Sequence, residues 1–363
     1  MTDRTRYLLW LSEVLGPCSN KFLRLMERFV LPEEAYERRQ TAEMGSLLSP
    51  GEYKRALTLT LSDSDKIIDY CEKAGTQIVC FGEQSYPERL RETTIPPVLL
   101  YVDGDVRALS GICIAGVGSR TPTQYGRQAA KFITQPLAAA GVTMVSGLAA
   151  GIDTEVHKAA LEAKGKTVAV LGTGIDVTYP KQHVEMRGVI EKNGAVISEY
   201  PPFTKNAAYM FAYRNRIISG LSRAVIIFEA ARRSGTMITA GWALDDGREV
   251  FAAPGSIFSD RSEGTNRLLK QGAIPALSAS DVLDALGLQR LSPEGAPSGK
   301  KKEPPALKGL SAKLYELLSG GELNLDRLVE KAARPSGEVL SELMMLELDG
   351  IVEALPGQRF GLI

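Results

Sequence analysis

Histidine is nearly missing from this sequence: among 363 residues there are two, His157 and His183. The four cysteines, Cys18, Cys71, Cys80 and Cys113, stand far apart and form no CxxC pair. Both shortages argue against a zinc site, and reduced, mostly buried thiols in a cytoplasmic protein are expected. No run of about 18 apolar residues occurs, so no membrane insertion is expected. The opening MTDRTRYLLWLSEVLG has an acid inside its short apolar run and does not read as a secretory signal. Net charge is missing too, because 43 Lys and Arg balance 43 Asp and Glu. Any attraction to a polyanion must then come from a local patch.

What the chain does have is length and aliphatic residues, 44% of it being hydrophobic, which allows two or three domains with a sizeable core. Residues 1–95 read as a helical module: LLWLSEV, SNKFLRLMERF, PEEAYERR and SDKIIDYCEKAG carry apolar residues at three- and four-residue spacing. Over 98–287 short aliphatic runs such as GICIAGVG, VTMVSG, TVAVLG and RAVIIFEA alternate with helical stretches. That alternation predicts an α/β fold, an extended Rossmann-like, doubly wound and mainly parallel sheet. Ligands of such sheets bind at the carboxyl ends of the strands. Residues 288–306 form a Pro-, Gly- and Lys-rich linker, and 307–363 read as three helices and a hairpin, a winged-helix order.

Four strands run into turns suited to anions: AGVGSRTP, VSGLAAGIDT, VLGTGIDVTYP and EAARRSGTMIT. Glycines such as Gly118, Gly147 and Gly235 let backbone N–H groups approach a phosphate, and a following helix adds its positive end. Ser119, Ser146, Ser234 and Thr236 add hydroxyls there. A bland alternative for any one turn is an ordinary strand-to-helix connection with a helix cap. A dinucleotide is a poor fit, since Thr121 replaces the third glycine and no Asp or Glu occurs from Val106 to Ile152. No phosphate-binding GxxxxGK[ST] motif is present either, and no cofactor is expected.

Positive charge is concentrated. Lys205, Arg214, Arg216, Arg223, Arg232 and Arg233 face a single acid, Glu229, between Thr204 and Arg233. Arg120 and Arg127 flank the first glycine turn. Phe203, Tyr209, Phe211 and Tyr213 are interleaved with the basic residues. Cations for phosphates and aromatic faces for bases are the parts of a single-strand groove. The competing reading is that Phe211 and Tyr213 pack in the core while the arginines cap carboxylates.

The motifs GSR (Gly118–Arg120), SGLAAGID (Ser146–Asp153), LGTGIDVTYP (Leu171–Pro180), RNRIISGLS (Arg214–Ser222), SGTMITA (Ser234–Ala240), VFAAPG (Val250–Gly255) and GTNRLLKQGA (Gly264–Ala273) occur in this order. In this the chain resembles the DNA-processing protein A (DprA, or Smf) family over about 160 residues, with weaker likeness in both flanks. The resemblance implies single-stranded DNA binding without cleavage, a homodimer, and transfer of incoming DNA to a RecA-type recombinase in natural transformation. It also implies a basic pocket with Arg120 and the RNR residues Arg214, Asn215 and Arg216. The chain departs from the family in one loop: Phe203, Ala208 and Ala212 replace a common Gly, Lys and Pro, and Lys205 is the nearest substitute charge.

Two rivals remain open. Nucleoside-phosphate hydrolases of related fold carry a catalytic Glu three residues after the turn threonine. Thr239 stands at that distance from Thr236, which removes the general acid/base. Asp153, Asp176 and Glu199 are the other strand-end carboxylates. The second rival is an adaptor whose pocket is vestigial.

Overall fold

The computed structural model describes residues 3–205, 207–288, 307, 309–318, 323–349, 351–355 and 359–362. The chain divides into two compact units, Met1–Glu294 and Gly295–Ile363. The expected linker at 288–306 lies outside the described residues except for Leu288.

The first unit is built on a nine-stranded sheet. Its strands are β1 (Gln77–Cys80), β2 (Leu99–Gly104), β3 (Cys113–Val117), β4 (Thr143–Ser146), β5 (Thr167–Val170), β6 (Gly194–Ser198), β7 (Ala224–Ile227), β8 (Glu249–Ala252) and β9 (Ile274–Pro275). Spatial order is β1-β2-β6-β5-β4-β3-β7-β8-β9. From β6 to β9 every neighbour is parallel, with Ile114 opposite Ala224 and Met144 opposite Thr167. β1 and β2 join antiparallel at the β6 edge. The sheet is therefore mainly parallel and wound in both directions from β3, as the alternation of runs predicts.

Alternate side chains of each strand go to opposite faces. Ala115, Val225 and Ile227 enter one buried cluster, and Ile114, Ala224 and Ile226 enter another. Central strands buried on both sides need continuous apolar sequence, which is why VIIF and TVAV read as strands. Residues of the N-terminal helices, among them Leu8, Trp10, Phe22 and Phe29, share one buried cluster with Leu99, Tyr101, Ala169 and Val196. The helical region thus packs directly on the sheet. Reading 1–95 as helical misses β1, whose four residues lie directly after the helix Leu61–Ala74 and its left-handed Gly75 cap.

All four cysteines are free thiols. Burial pushes the thiols of Cys71, Cys80 and Cys113 up to about 12. No helix among the described residues is long and apolar enough to cross a membrane.

In the second unit, helices Leu310–Leu318, Leu325–Ala332 and Ser336–Leu348 enclose Leu314, Leu328, Val339, Leu343 and Leu346. Strands β10 (Leu323–Asn324), β11 (Val352–Leu355) and β12 (Arg359–Leu362) form the small sheet of a winged helix. In the third helix Leu343 and Leu346 are core, whereas Met344 and Met345 are exposed.

Candidate nucleic-acid interface

Strands β3 to β6 step away from β3 on one side, and β7 to β9 on the other. The crevice between the β3 and β7 turns is the topological switch point, where open α/β sheets bind ligands. A cavity of about 490 Å³ opens there. It is lined by Gly118, Ser119 and Arg120 after β3 and by Ser234, Gly235 and Thr236 after β7. The helix Ala208–Leu221 closes it with Phe211, Arg214 and Asn215.

The β3 turn is held by its neighbours. Ser119 N–H donates to the Glu229 carbonyl at 2.8 Å, and Ile152 N–H donates to the Ser119 carbonyl at 3.0 Å. Gly151 has φ +88°, and a Cβ there would lie 2.3 Å from the Ser119 oxygen, so only glycine fits. With the turn fixed, the Arg120 side chain projects outward. It is exposed and, among the described residues, has no carboxylate partner. Its guanidinium carbon lies 5.6 Å from the Phe211 ring centroid, within cation–π range. Phe211 in turn rests against Tyr179, with centroids 5.2 Å apart. Tyr179, in the third glycine-turn motif, was legible as part of that motif but not as the support of Phe211.

Opposite Arg120, the helix Gly235–Asp245 starts at Ser234 without a side-chain cap bond. Among the described residues the buried Ser234 Oγ has no partner. An uncapped helix start presents free N–H groups and a positive end, both favourable to an anion.

Arg214 sits deeper and is 4% exposed. Its Nη1 donates to the Gly147 carbonyl at 2.6 Å and also to the Val170 carbonyl, while Nε donates to Asn215 Oδ1 at 3.2 Å. Burial pushes the guanidinium down to about 10, Asp153 opposing and Arg120 reinforcing that shift. Burial likewise pushes the Asp153 carboxyl above its ordinary value, against the pull of Arg214. Asp153 is the only carboxylate among the cavity-lining residues described.

Four expected residues stand elsewhere. Ser146 is fully buried, and its hydroxyl donates to the Gly116 carbonyl at 2.7 Å, tying β4 to β3. Gly147 supplies a carbonyl to Arg214 and no lining surface. Arg216 is 2% exposed and paired with buried Glu199, away from the cavity. Lys205 is exposed beside a second cavity of about 270 Å³ that also touches Glu13 and Tyr209.

The remaining charges sort in the same way. Glu229 is 2% exposed and accepts from the Thr123 N–H and hydroxyl at the start of the helix Gln124–Ala139. Arg223 donates to the Leu286 carbonyl at 2.6 Å, and Arg232 faces Glu263 at 3.6 Å. Arg233 is exposed. Phe203 holds a left-handed φ of 67°, a conformation that suits glycine, while its N–H donates to Asp176 Oδ1 at 2.8 Å.

Comparison with known proteins gives the family. A model of the DNA recombination-mediator protein A family matches residues 77–287, and one of the DprA winged helix domain matches 298–358. The chain is 39% identical to the protein Smf of Escherichia coli, over 82% of this chain and 84% of that one. Identity to the protein Smf of Synechocystis is 32%, over 99% and 98% of the two chains. The solved DNA processing protein A of Streptococcus pneumoniae superposes with a TM-score of 0.67 at 33% identity, covering 77% of this chain and 97% of that one. That of Helicobacter pylori, solved for its single-stranded DNA binding mode, gives 0.53 at 30%, covering 58% and 95%. This chain belongs to the DNA recombination-mediator protein A family, known as DprA or Smf.

Proposed function

We propose that this chain binds single-stranded DNA at the switch-point cavity and does not cleave it. The observation that carries this reading is Arg120. A fixed turn displays a guanidinium with no carboxylate partner among the described residues over the face of Phe211, opposite an uncapped helix start. Phosphate can be held between Arg120 and the helix N–H groups while a base lies against the aromatic pair. The single-strand binding of the Helicobacter pylori relative supports the same occupant. Arg214 and Asn215 shape the floor, whereas Arg216 acts through the placement of its helix.

The carboxylates do not favour a hydrolase. Asp153 Oδ2 accepts from the Ala149 N–H at 3.3 Å, Asp176 accepts from Phe203, and Glu199 is bound to Arg216. Of the three, only Asp153 lines the cavity, and it is held there by the Ala149 N–H, beside Arg214. Incubation with nucleoside monophosphates should release no free base; release would restore the hydrolase reading.

In the cell the protein works as a cytoplasmic homodimer that shields incoming single strands and passes them to a RecA-type recombinase during transformation and recombination. Fluorescence anisotropy with one oligonucleotide as single strand and as duplex tests the binding step. Tighter binding of the single strand is expected. Equal or tighter binding of the duplex would overturn the assignment, and no binding of either would leave the adaptor.

A further inference from the structure

The turn after β8 shows a large apolar side chain to solvent on a well-anchored backbone. Phe258 is 93% exposed and its neighbour Ile257 84% exposed. The backbone beneath them is fixed at several points. Gly255 N–H donates to Asn266 Oδ1 at 3.2 Å, and Asn266 Nδ2 returns a bond to the Gly255 carbonyl at 3.1 Å. Phe258 N–H donates to Ser256 Oγ at 3.2 Å, and Ser259 N–H to the Ser256 carbonyl at 3.1 Å. A Cβ on Gly255 would lie 2.2 Å from Ser262 Oγ, which shows how closely the turn packs on the segment that follows.

This turn is tied to the cavity's edge. Arg261 Nη1 donates to Thr121 Oγ1 at 2.8 Å and to the Thr121 carbonyl, next to Arg120. The Tyr125 hydroxyl donates to the Pro254 carbonyl. Arg232, on the β7 turn, faces Glu263. The three turns at the carboxyl ends of β3, β7 and β8 are thereby joined. Strands lie about 4.8 Å apart, so β8 is about 10 Å from β3, and Phe258 stands on the turn that follows β8.

We propose that Phe258 is a stacking post for a base of the same strand, just outside the cavity that holds the neighbouring phosphate. The proposal rests on the single-strand reading and extends it. Exposed Arg120, Arg232 and Arg233 lie on the connected turns, and the acids beside the post are Asp260 and Glu263. Glu263 is drawn toward Arg232, so the path keeps a positive balance for a polyanion. An aromatic face beside cations suits an unpaired base, which every nucleotide offers irrespective of sequence.

The test uses the full chain and a labelled 20-nucleotide oligothymidylate. Phe258→Ala, at an exposed position, is expected to weaken binding five-fold or more, within the range for loss of one stacked base. Phe258→Trp should keep the affinity, and its added indole fluorescence should be quenched as the strand is titrated in. Wild-type protein that fails to bind the strand overturns the single-strand reading and this post with it. Wild-type protein that binds, with Phe258→Ala binding equally well, overturns the post alone. A change in sedimentation of Phe258→Ala with no change in DNA affinity would assign the residue to a protein contact and also overturn it.

Discussion

The guanidinium of Arg214 fills the space that a side chain at Gly147 would need. A Cβ built on Gly147 lies 2.5 Å from Arg214 Nη2, and Arg214 Nη1 bonds the Gly147 carbonyl at 2.6 Å. Glycine in the second motif and arginine in the fourth are one unit, although 67 residues separate them. Gly147→Ala should displace Arg214 from the cavity floor and destabilise the fold by about 1–3 kcal/mol, the usual range for forced overpacking. Urea denaturation measures this; a substitution costing nothing would show that the floor is not packed as described.

Arg120 and Arg223 make opposite predictions although both stand at strand ends. Arg120→Ala should weaken single-strand binding by about 1.5–3 kcal/mol, the range of a charge-assisted hydrogen bond, with little loss of stability. Arg223→Ala removes the bond to the Leu286 carbonyl and should affect stability while affinity stays close to wild type. Anisotropy on folded variants decides, and a larger binding defect for Arg223→Ala would misplace the site.

Arg216 and Glu199 are 3% and 6% exposed at their side chains. Removing one partner leaves the other charge buried and uncompensated. Arg216→Ala should therefore destabilise by about 3–5 kcal/mol. In a double-mutant cycle with Glu199→Ala the two losses should be strongly non-additive. Additive losses would mean that the pair contributes little.

How far the sequence reached follows from what each signal reports. The parallel strands were legible because burial on both faces demands unbroken aliphatic runs. β1 and β2 were missed, since an edge pair four and six residues long beside helices carries little periodic signal. The glycine turns were legible because close packing, as of Gly151 against Ser119, constrains residue type locally, and Arg120 was legible because it follows one of them. The fates of Arg214 and Arg216 were not, because side chains two apart on one helix point in different directions. Only the packing shows that one meets Gly147 and the other Glu199. Lys205, read as a substitute charge, stands beside the second cavity because the turn around Phe203 leads it there.

His157 is fully buried, with Nδ1 2.7 Å from Thr167 Oγ1, and burial pushes its imidazole down to about 3. The folded value lies below the unfolded value of about 6.5, so the folded state prefers the neutral ring. Its contribution to stability is present above about pH 6.5 and is lost as pH falls toward 3. The urea midpoint should drop over that window, and His157→Gln should flatten the drop. An unchanged pH profile in the variant would show that the ring does not titrate against folding.

The winged-helix unit has six Lys or Arg against nine Asp or Glu over Leu307–Ile363, a net charge of −3. Its third helix has Glu338, Glu342 and Glu347 and no basic residue, so it would repel a phosphate backbone. A chain ending near Gly287 should keep its single-strand affinity within about threefold, under 1 kcal/mol. A tenfold loss in folded protein would give that unit a direct part in DNA binding.

The central claim is that clustered charge at the switch point meets a DNA backbone, and the salt dependence of single-strand affinity tests it most directly. With about three to five phosphates engaged, log K against log salt should fall with a slope of roughly −2 to −3.5. Arg120→Ala should make that slope shallower by about 0.7, the loss of one phosphate contact. An affinity independent of salt, or a slope unchanged by removing Arg120, would contradict the claim.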